Sequence, residues 1–304
     1  MLDVHRLRLL RELALHGTIA ATARSCSLTP SAVSQQLAVL TREVGAPLYF
    51  RDGRRLVLTE AAQVLVEHTE RVLAELERAR AGVAELTSTV RGVLRLAAFP
   101  TAARALAAPA IARCRAAHPD LRLRLSEQEA DEAVAALRGG RVDVALLYEY
   151  SLLPEFRVAA VEVEPLVTEP LLLALPAGLR SGDGPLDLAS LADLPWIAAD
   201  QDDALRTMLE RACEVAGFVP RLDFTSTDYT VIFALVQAGL GVSIVPRLAQ
   251  ESMSADIELR EIAAMDLTRT VSVAVRAGSS RDPRIAAVLD ALRAVAAELT
   301  AELT

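Results

Sequence analysis

The sequence predicts an N-terminal all-α winged helix-turn-helix, then a long linker helix, then a two-lobed α/β domain that encloses a cleft. Three observations predict it. Residues 18–58 show a short helix, a turn, a longer helix and a basic hairpin; an apolar stripe at helical spacing runs from 59 to about 88; strand and helix patterns alternate from 92 onward. The implied boundaries are 1–58, 59–90 and 91–304. One lobe comprises about 91–162 and 269–304, the other about 163–268.

In the first segment, Thr18 to Ser25 reads as a helix and Cys26 to Thr29 as a turn. Thr29 is a good N-cap, and Pro30 suits the first helical position, where its missing N–H costs nothing. Ala32, Val33, Leu37, Leu40 and Val44 then recur at helical spacing and define an inward face. The opposite face presents Ser31, Ser34, Gln35 and Gln36. Such side chains reach base edges and phosphates in a major groove, and Gln pairs bidentately with adenine. A solvated polar face explains them equally well, so the hairpin decides. Leu48-Tyr49-Phe50 and Leu56-Val57-Leu58 read as strands, and the Asp52-Gly53 pair is a turn signal. Arg51, Arg54 and Arg55 then cluster at the tip, and the planar guanidinium fork suits phosphate.

Charge divides the chain the same way. Eight arginines against four carboxylates leave residues 1–58 at +4; the whole chain is −8, so the remainder carries −12. A basic module on an acidic body suits an anionic polymer as partner for the first part only, and with the winged helix-turn-helix outline the expected partner is double-stranded DNA.

These stretches resemble the DNA-binding domain of LysR-type transcriptional regulators. The residues that carry the resemblance are 7–13, 16–23, Leu28 through Leu37, and Pro47-Leu48 through Leu58-Thr59-Glu60-Ala61. Two positions depart from the family pattern: Phe50 replaces an acidic residue before the wing arginine, and Ala62 replaces a glycine. The resemblance implies a sequence-specific regulator, a homodimer and beyond it a homotetramer, a small-metabolite effector, and RNA polymerase as a further partner. It also implies that the C-terminal domain is periplasmic-binding-protein-like.

In the linker, Thr59 caps and Glu60 favours the helix N-terminus. Leu65, His68, Val72, Leu76, Ala79, Val83, Leu86 and Val90 form a stripe about 45 Å long at 1.5 Å per residue. Pairing with a second copy covers such a stripe; packing on the chain's own effector domain is the other reading.

Beyond Gly92, strands are expected at 93–99, 121–125, 142–147, 171–175, 196–199, 222–225, 242–245 and 270–275, in a largely parallel sheet. Helices are expected at 102–117, where Pro109 should kink or delay the start, at 129–138, and at 283–303. Ligands in such domains sit beyond strand carboxyl ends, near helix N-termini. That places Pro100, Thr101, Ala102, Glu127, Tyr148, Glu149, Asp200, Gln201, Thr225, Ser226 and Thr227 as effector-binding candidates. N-capping alone also accounts for each hydroxyl. If two of the acidic turns (Glu127, Glu149, Asp200 to Asp203) face the cleft, the ligand carries a cationic or hydroxyl group.

No stretch reaches the roughly 18 apolar residues of a membrane helix. The N-terminus lacks signal-peptide character, so a cytoplasmic location is expected. The three cysteines, Cys26, Cys114 and Cys213, lack metal or redox spacing and read as buried thiols. The four histidines are scattered, and Gly239-Leu240-Gly241 lacks the third glycine of a dinucleotide motif; neither an enzyme nor a cofactor is expected. The alternative is a cytoplasmic solute-binding receptor with an accessory nucleic-acid-binding module.

Overall fold

A computed structural model describes residues 2–53, 55–87, 90–154, 159–179, 182, 184–201, 203–253 and 256–303. Helices α1 (Val4–His16), α2 (Ile19–Ser25) and α3 (Pro30–Val44) pack around Leu9, Leu10, Leu13, Leu37 and Leu40, all buried. Local chemistry sets their ends. Asp3 accepts from the His5 and Arg6 amides, Thr18 from Ala21 and Thr29 from Ala32. Gly45 closes α3 at φ 74°, a conformation that glycine adopts without strain.

Strands β1 (Tyr49–Asp52) and β2 (Arg55–Leu58) form the wing, with Asp52 opposite Arg55. The ladder therefore runs further than the sequence suggests. Arg51 and Arg55 lie within it, not at its tip, and Arg54 lies outside the described residues. Cross-strand partners share a face, so Phe50, Val57 and Arg55 project outward together and Arg51 to the other side.

Helix α4 (Glu60–Thr87) opens on Thr59, whose hydroxyl donates to the Pro47 carbonyl at 2.7 Å and accepts from the Ala62 amide at 3.2 Å. Its two faces differ in fate. Ala62, Thr69, Ala74 and Ala81 are buried, whereas Val72, Leu76, Val83 and Leu86 of the expected stripe are exposed, the last two by 66% and 86%. The inward face meets the C-terminal domain at Gly278, where an added Cβ would lie 2.4 Å from the Ala74 carbonyl oxygen. Ion pairs flank that contact, Glu70 with Arg138 at 2.5 Å and Glu77 with Arg276 at 3.6 Å. The chain's own effector domain thus covers one side of α4 and the helix-turn-helix core takes Leu65 and Val66, whereas Val72, Leu76, Val83 and Leu86 stay exposed.

The C-terminal domain begins with β3 (Gly92–Ala98), then α5 (Pro100–Ala102), a π-helical turn (Ala103–Ala107) and α6 (Ala108–Ala117). The wide turn precedes Pro109, whose ring would clash with the carbonyl four residues back in a regular α-helix. Next come β4 (Leu121–Glu127), α7 (Ala130–Arg138), β5 (Val144–Tyr150) and β6 (Val161–Pro176). After these follow β7 (Pro195–Ala198), α8 (Ala204–Val215), β8 (Arg221–Thr225), α9 (Tyr229–Gln237), β9 (Ser243–Pro246) and β10 (Ile257–Arg260), the last not expected from sequence. The chain ends with β11 (Thr268–Arg276) and α10 (Pro283–Leu303).

The sheet is mixed, which corrects the expectation of a largely parallel one. β3 runs parallel to β4 and β5, but β11 is antiparallel to β5 and β6, and β6 is antiparallel to β9 and β10. β6 begins ten residues before the expected Leu171 and serves both lobes, pairing with β11 in one and with β9 and β10 in the other. Each lobe has its own core, around Leu96, Leu146, Val273 and Leu292 in the first and Leu173, Trp196, Met208 and Ile244 in the second.

Candidate functional site

Helix α3 presents Thr29, Pro30, Ser31, Ser34 and Gln35 on its exposed side, while Val33, Leu37 and Leu40 anchor the opposite side. The Thr29 and Ser31 hydroxyls lie 3.0 Å apart at the helix start. Gln36 is placed differently from its neighbours. It is half-buried, and its side-chain oxygen accepts from the Arg6 Nε at 3.0 Å, so it ties α3 to α1. On the wing, Arg55 is exposed beside Phe50, itself 54% exposed, and Arg51 is exposed on the other face.

Between the lobes lies a small cavity of about 30 Å³, room for one or two waters. Pro100, Thr101, Tyr148, Ser226 and Thr227 line it, as the sequence suggested. Outside it, a vestibule of about 350 Å³ shares Pro100, Thr101 and Thr227 and adds Glu127. The remaining candidates do not line either space. Glu149 falls between Tyr148 and Tyr150 because β5 continues to Tyr150 where a turn was expected, and alternation along a strand sends it to the opposite face. Ala102 is wholly buried; Asp200, Gln201 and Thr225 are exposed away from the cavity.

Several residues in the cavity wall were not anticipated. Arg269 of β11 is paired with Glu169 of β6, which stands directly opposite it in the ladder. Its Nη2 also donates to the Thr101 hydroxyl at 2.9 Å, and its guanidinium stacks 5.1 Å from the Phe99 ring centre. Burial opposes the charge on Arg269, but Glu169 together with Tyr150 and Tyr229 more than offsets it and raises its pKa. Glu169 is held in turn by the Leu248 amide at 2.6 Å.

Two carboxylates complete the wall. Glu129 sits at the N-cap position of α7 and accepts from the Tyr148 hydroxyl at 3.0 Å; Asp203 caps α8 through the Leu205 amide at 2.7 Å. Desolvation raises the pKa of both. For Glu129 it outweighs the Tyr148 hydrogen bond, and Asp203 across the cleft pushes in the same direction. Burial lifts Tyr150 to about 12, even though Arg269 favours its ionised form.

Among the described residues no His, Cys, Asp and Glu group could hold a metal ion. Likewise no described helix is long and apolar enough to cross a membrane. Desolvation raises the thiol pKa of Cys26 and Cys114, and that of Cys213 to about 12, which lowers their thiolate fractions.

Residues 4–63 match the family model for the bacterial regulatory helix-turn-helix protein of the lysR family, and residues 87–297 match the LysR substrate binding domain. A probable hydrogen peroxide-inducible genes activator of Mycobacterium avium is 30% identical over 86% of this chain and 84% of its own length. The nitrogen assimilation regulatory protein nac of Klebsiella aerogenes is 26% identical over 96% of this chain and 94% of its own. In fold, the chain resembles a variant of full-length OxyR from Pseudomonas aeruginosa, with a TM-score of 0.63, 24% identity and coverage of 96% and 95% of the two chains. CbnR in complex with its target DNA has a TM-score of 0.56 at 23% identity, covering 97% of this chain and all of that one. The chain belongs to the LysR family of transcriptional regulators, with a helix-turn-helix domain that binds DNA and a C-terminal domain that binds an effector.

Proposed function

We propose that the chain is a cytoplasmic, non-enzymatic regulator in which residues 1–58 read DNA, 59–90 pair two copies and 91–304 sense the effector. Thr29, Ser31, Ser34 and Gln35 face the major groove, Arg51 and Arg55 grip phosphates from the two faces of the wing, and Arg54 adds a further phosphate contact. Pro100, Thr101, Tyr148, Ser226 and Thr227 contact the effector. A second copy covers Val72, Leu76, Val83 and Leu86. Two such dimers form a tetramer that engages RNA polymerase.

The observation that carries this reading is the double use of α4: one face is seated on the effector domain at Gly278, and the other is an uncovered apolar stripe. A ligand that binds one lobe arrangement better than another shifts the population of α4 positions and with it the spacing of the two reading heads. A dimer reads half-sites separated by whole turns of DNA, so the operator is pseudo-palindromic. Family membership weighs against a solute receptor with an accessory DNA module. Selection of bound fragments from a random-sequence DNA pool tests the reading: recovery of a two-half-site motif is expected, and recovery of unselected sequence overturns it.

A further inference from the structure

We propose that the effector is a small organic cation, an aliphatic ammonium or guanidinium compound, whose charged end sits between Glu129 and Asp203. The proposal rests on the reading that this cleft holds the effector. Its support is the charge balance of the cavity wall. Three charged groups line the inner space, namely Glu129, Asp203 and Arg269. The arginine is already ion-paired with Glu169 inside the protein and bonded to Thr101, so an incoming ligand meets two carboxylates that have hydrogen-bond donors but, among the described residues, no ion-pair partner. The vestibule adds Glu127 and Asp228 against Arg104, which is ion-paired to Glu251 at 2.9 Å. An anion would face four carboxylates, with both nearby arginines committed elsewhere.

The walls suit a cation as well. Phe99, Tyr148, Tyr150 and Tyr229 surround the inner space, and ring faces attract positive charge. The same cluster already accommodates one guanidinium, with Arg269 placed 5.1 and 5.9 Å from the Phe99 and Tyr148 ring centres. Size sets the shape of the ligand. The inner space of about 30 Å³ takes one charged end, and the vestibule of about 350 Å³ takes the remainder.

The two carboxylates come from opposite lobes, Glu129 from the start of α7 and Asp203 from the start of α8. Both line one poorly solvated space, where desolvation raises the pKa of each and the charge of Asp203 raises that of Glu129 further; closing the lobes without a ligand brings these like charges together. A cation between them removes that repulsion, so its affinity is highest for the closed arrangement. Binding and closure are thereby coupled.

Isothermal titration of the full-length chain with putrescine, agmatine, L-arginine and choline, beside succinate at matched ionic strength, tests this. At least one cation is expected to bind at millimolar concentration or below and succinate not to. Glu129→Gln and Asp203→Asn are each expected to weaken the cation at least tenfold; asparagine keeps the helix cap, and circular dichroism checks the fold of both variants. No binding by any of the four cations overturns the proposal, as does succinate binding or unchanged affinity in folded variants. A gel shift on the same sample separates the two readings. Specific DNA binding without any cation binding overturns the cation alone, whereas cation binding without specific DNA binding overturns the regulator and leaves the cation supported.

Discussion

Arg269 and Glu169 stand opposite each other on β11 and β6 and form an ion pair of 2.6 Å, with side chains exposed by only 1% and 0%. Removing one partner leaves the other charge buried with no ion-pair partner. Glu169→Gln should cost about 3–5 kcal/mol in urea denaturation, while Arg269→Met with Glu169→Met should recover most of that loss. Equal loss in the single and double variants would contradict this account.

On the DNA side, base reading and phosphate gripping separate by salt dependence. Arg55→Ala should weaken binding to all sequences and lower the slope of log K against log salt by about 1, because one phosphate contact is lost. Gln35→Ala should instead change base preference at one position of each half-site, by about 1–3 kcal/mol. Fluorescence anisotropy over a salt series, on operator and scrambled duplexes, distinguishes the two. Gln36→Ala acts through Arg6 and should lower helix stability without changing base preference.

Leu76→Glu with Val83→Glu places charge on the uncovered stripe of α4, at two positions exposed in the single chain. Sedimentation velocity should show the dimer replaced by a monomer, with an unchanged circular dichroism spectrum. A variant that remains dimeric would move the interface away from α4.

Gly278 has φ 86°, and a Cβ there would meet the Ala74 carbonyl oxygen at 2.4 Å and the Arg78 Cγ at 2.7 Å. The first neighbour is backbone and cannot swing aside. Gly278→Ala should therefore cost about 1–3 kcal/mol through the strained φ alone and loosen α4 from the effector domain. Amide hydrogen exchange should rise over residues 74–81; unchanged protection there would mean that this contact does not hold the helix.

Asp203 has its pKa raised above the ordinary value of 3.8 by desolvation, so its charged form is less favourable in the folded chain than in the unfolded one. The resulting destabilisation is present at neutral pH and fades as the pH falls through the raised folded-state pKa toward 3.8. Asp203→Asn should raise the melting temperature at pH 7, and its advantage should shrink steadily in acid. An advantage that grows on acidification would reverse the sign of the argument.

The reading helix was legible from residues 29–44 because each of its determinants is local. Thr29 caps an amide three residues on, Pro30 fits the first turn, and the inward face repeats within the helix itself. Linker helix α4 was legible for the same reason, although the pattern of Leu65 through Leu86 left open which surface covers it. The cleft was only half legible. Pro100, Thr101, Ser226 and Thr227 follow strand ends by a general rule of α/β folds, whereas Glu149 was misplaced because three further residues of β5 obey alternation.

By itself the sequence determined the reading helix with its Thr29 cap, the linker helix that Thr59 opens, the turn at Asp52-Gly53, and the basic head on an acidic body. All of these depend on residues a few positions apart or on composition. Only the tertiary structure decided the charge of the cleft. Arg269 and Glu169 are 100 residues apart in the chain and meet only through the register of two antiparallel strands. Glu129 and Asp203 begin helices in different lobes and come to line one cavity only through the packing of those lobes. Whether a charge is free to meet a ligand depends on which neighbour has already neutralised it, and those neighbours are set by long-range pairing that no local pattern encodes.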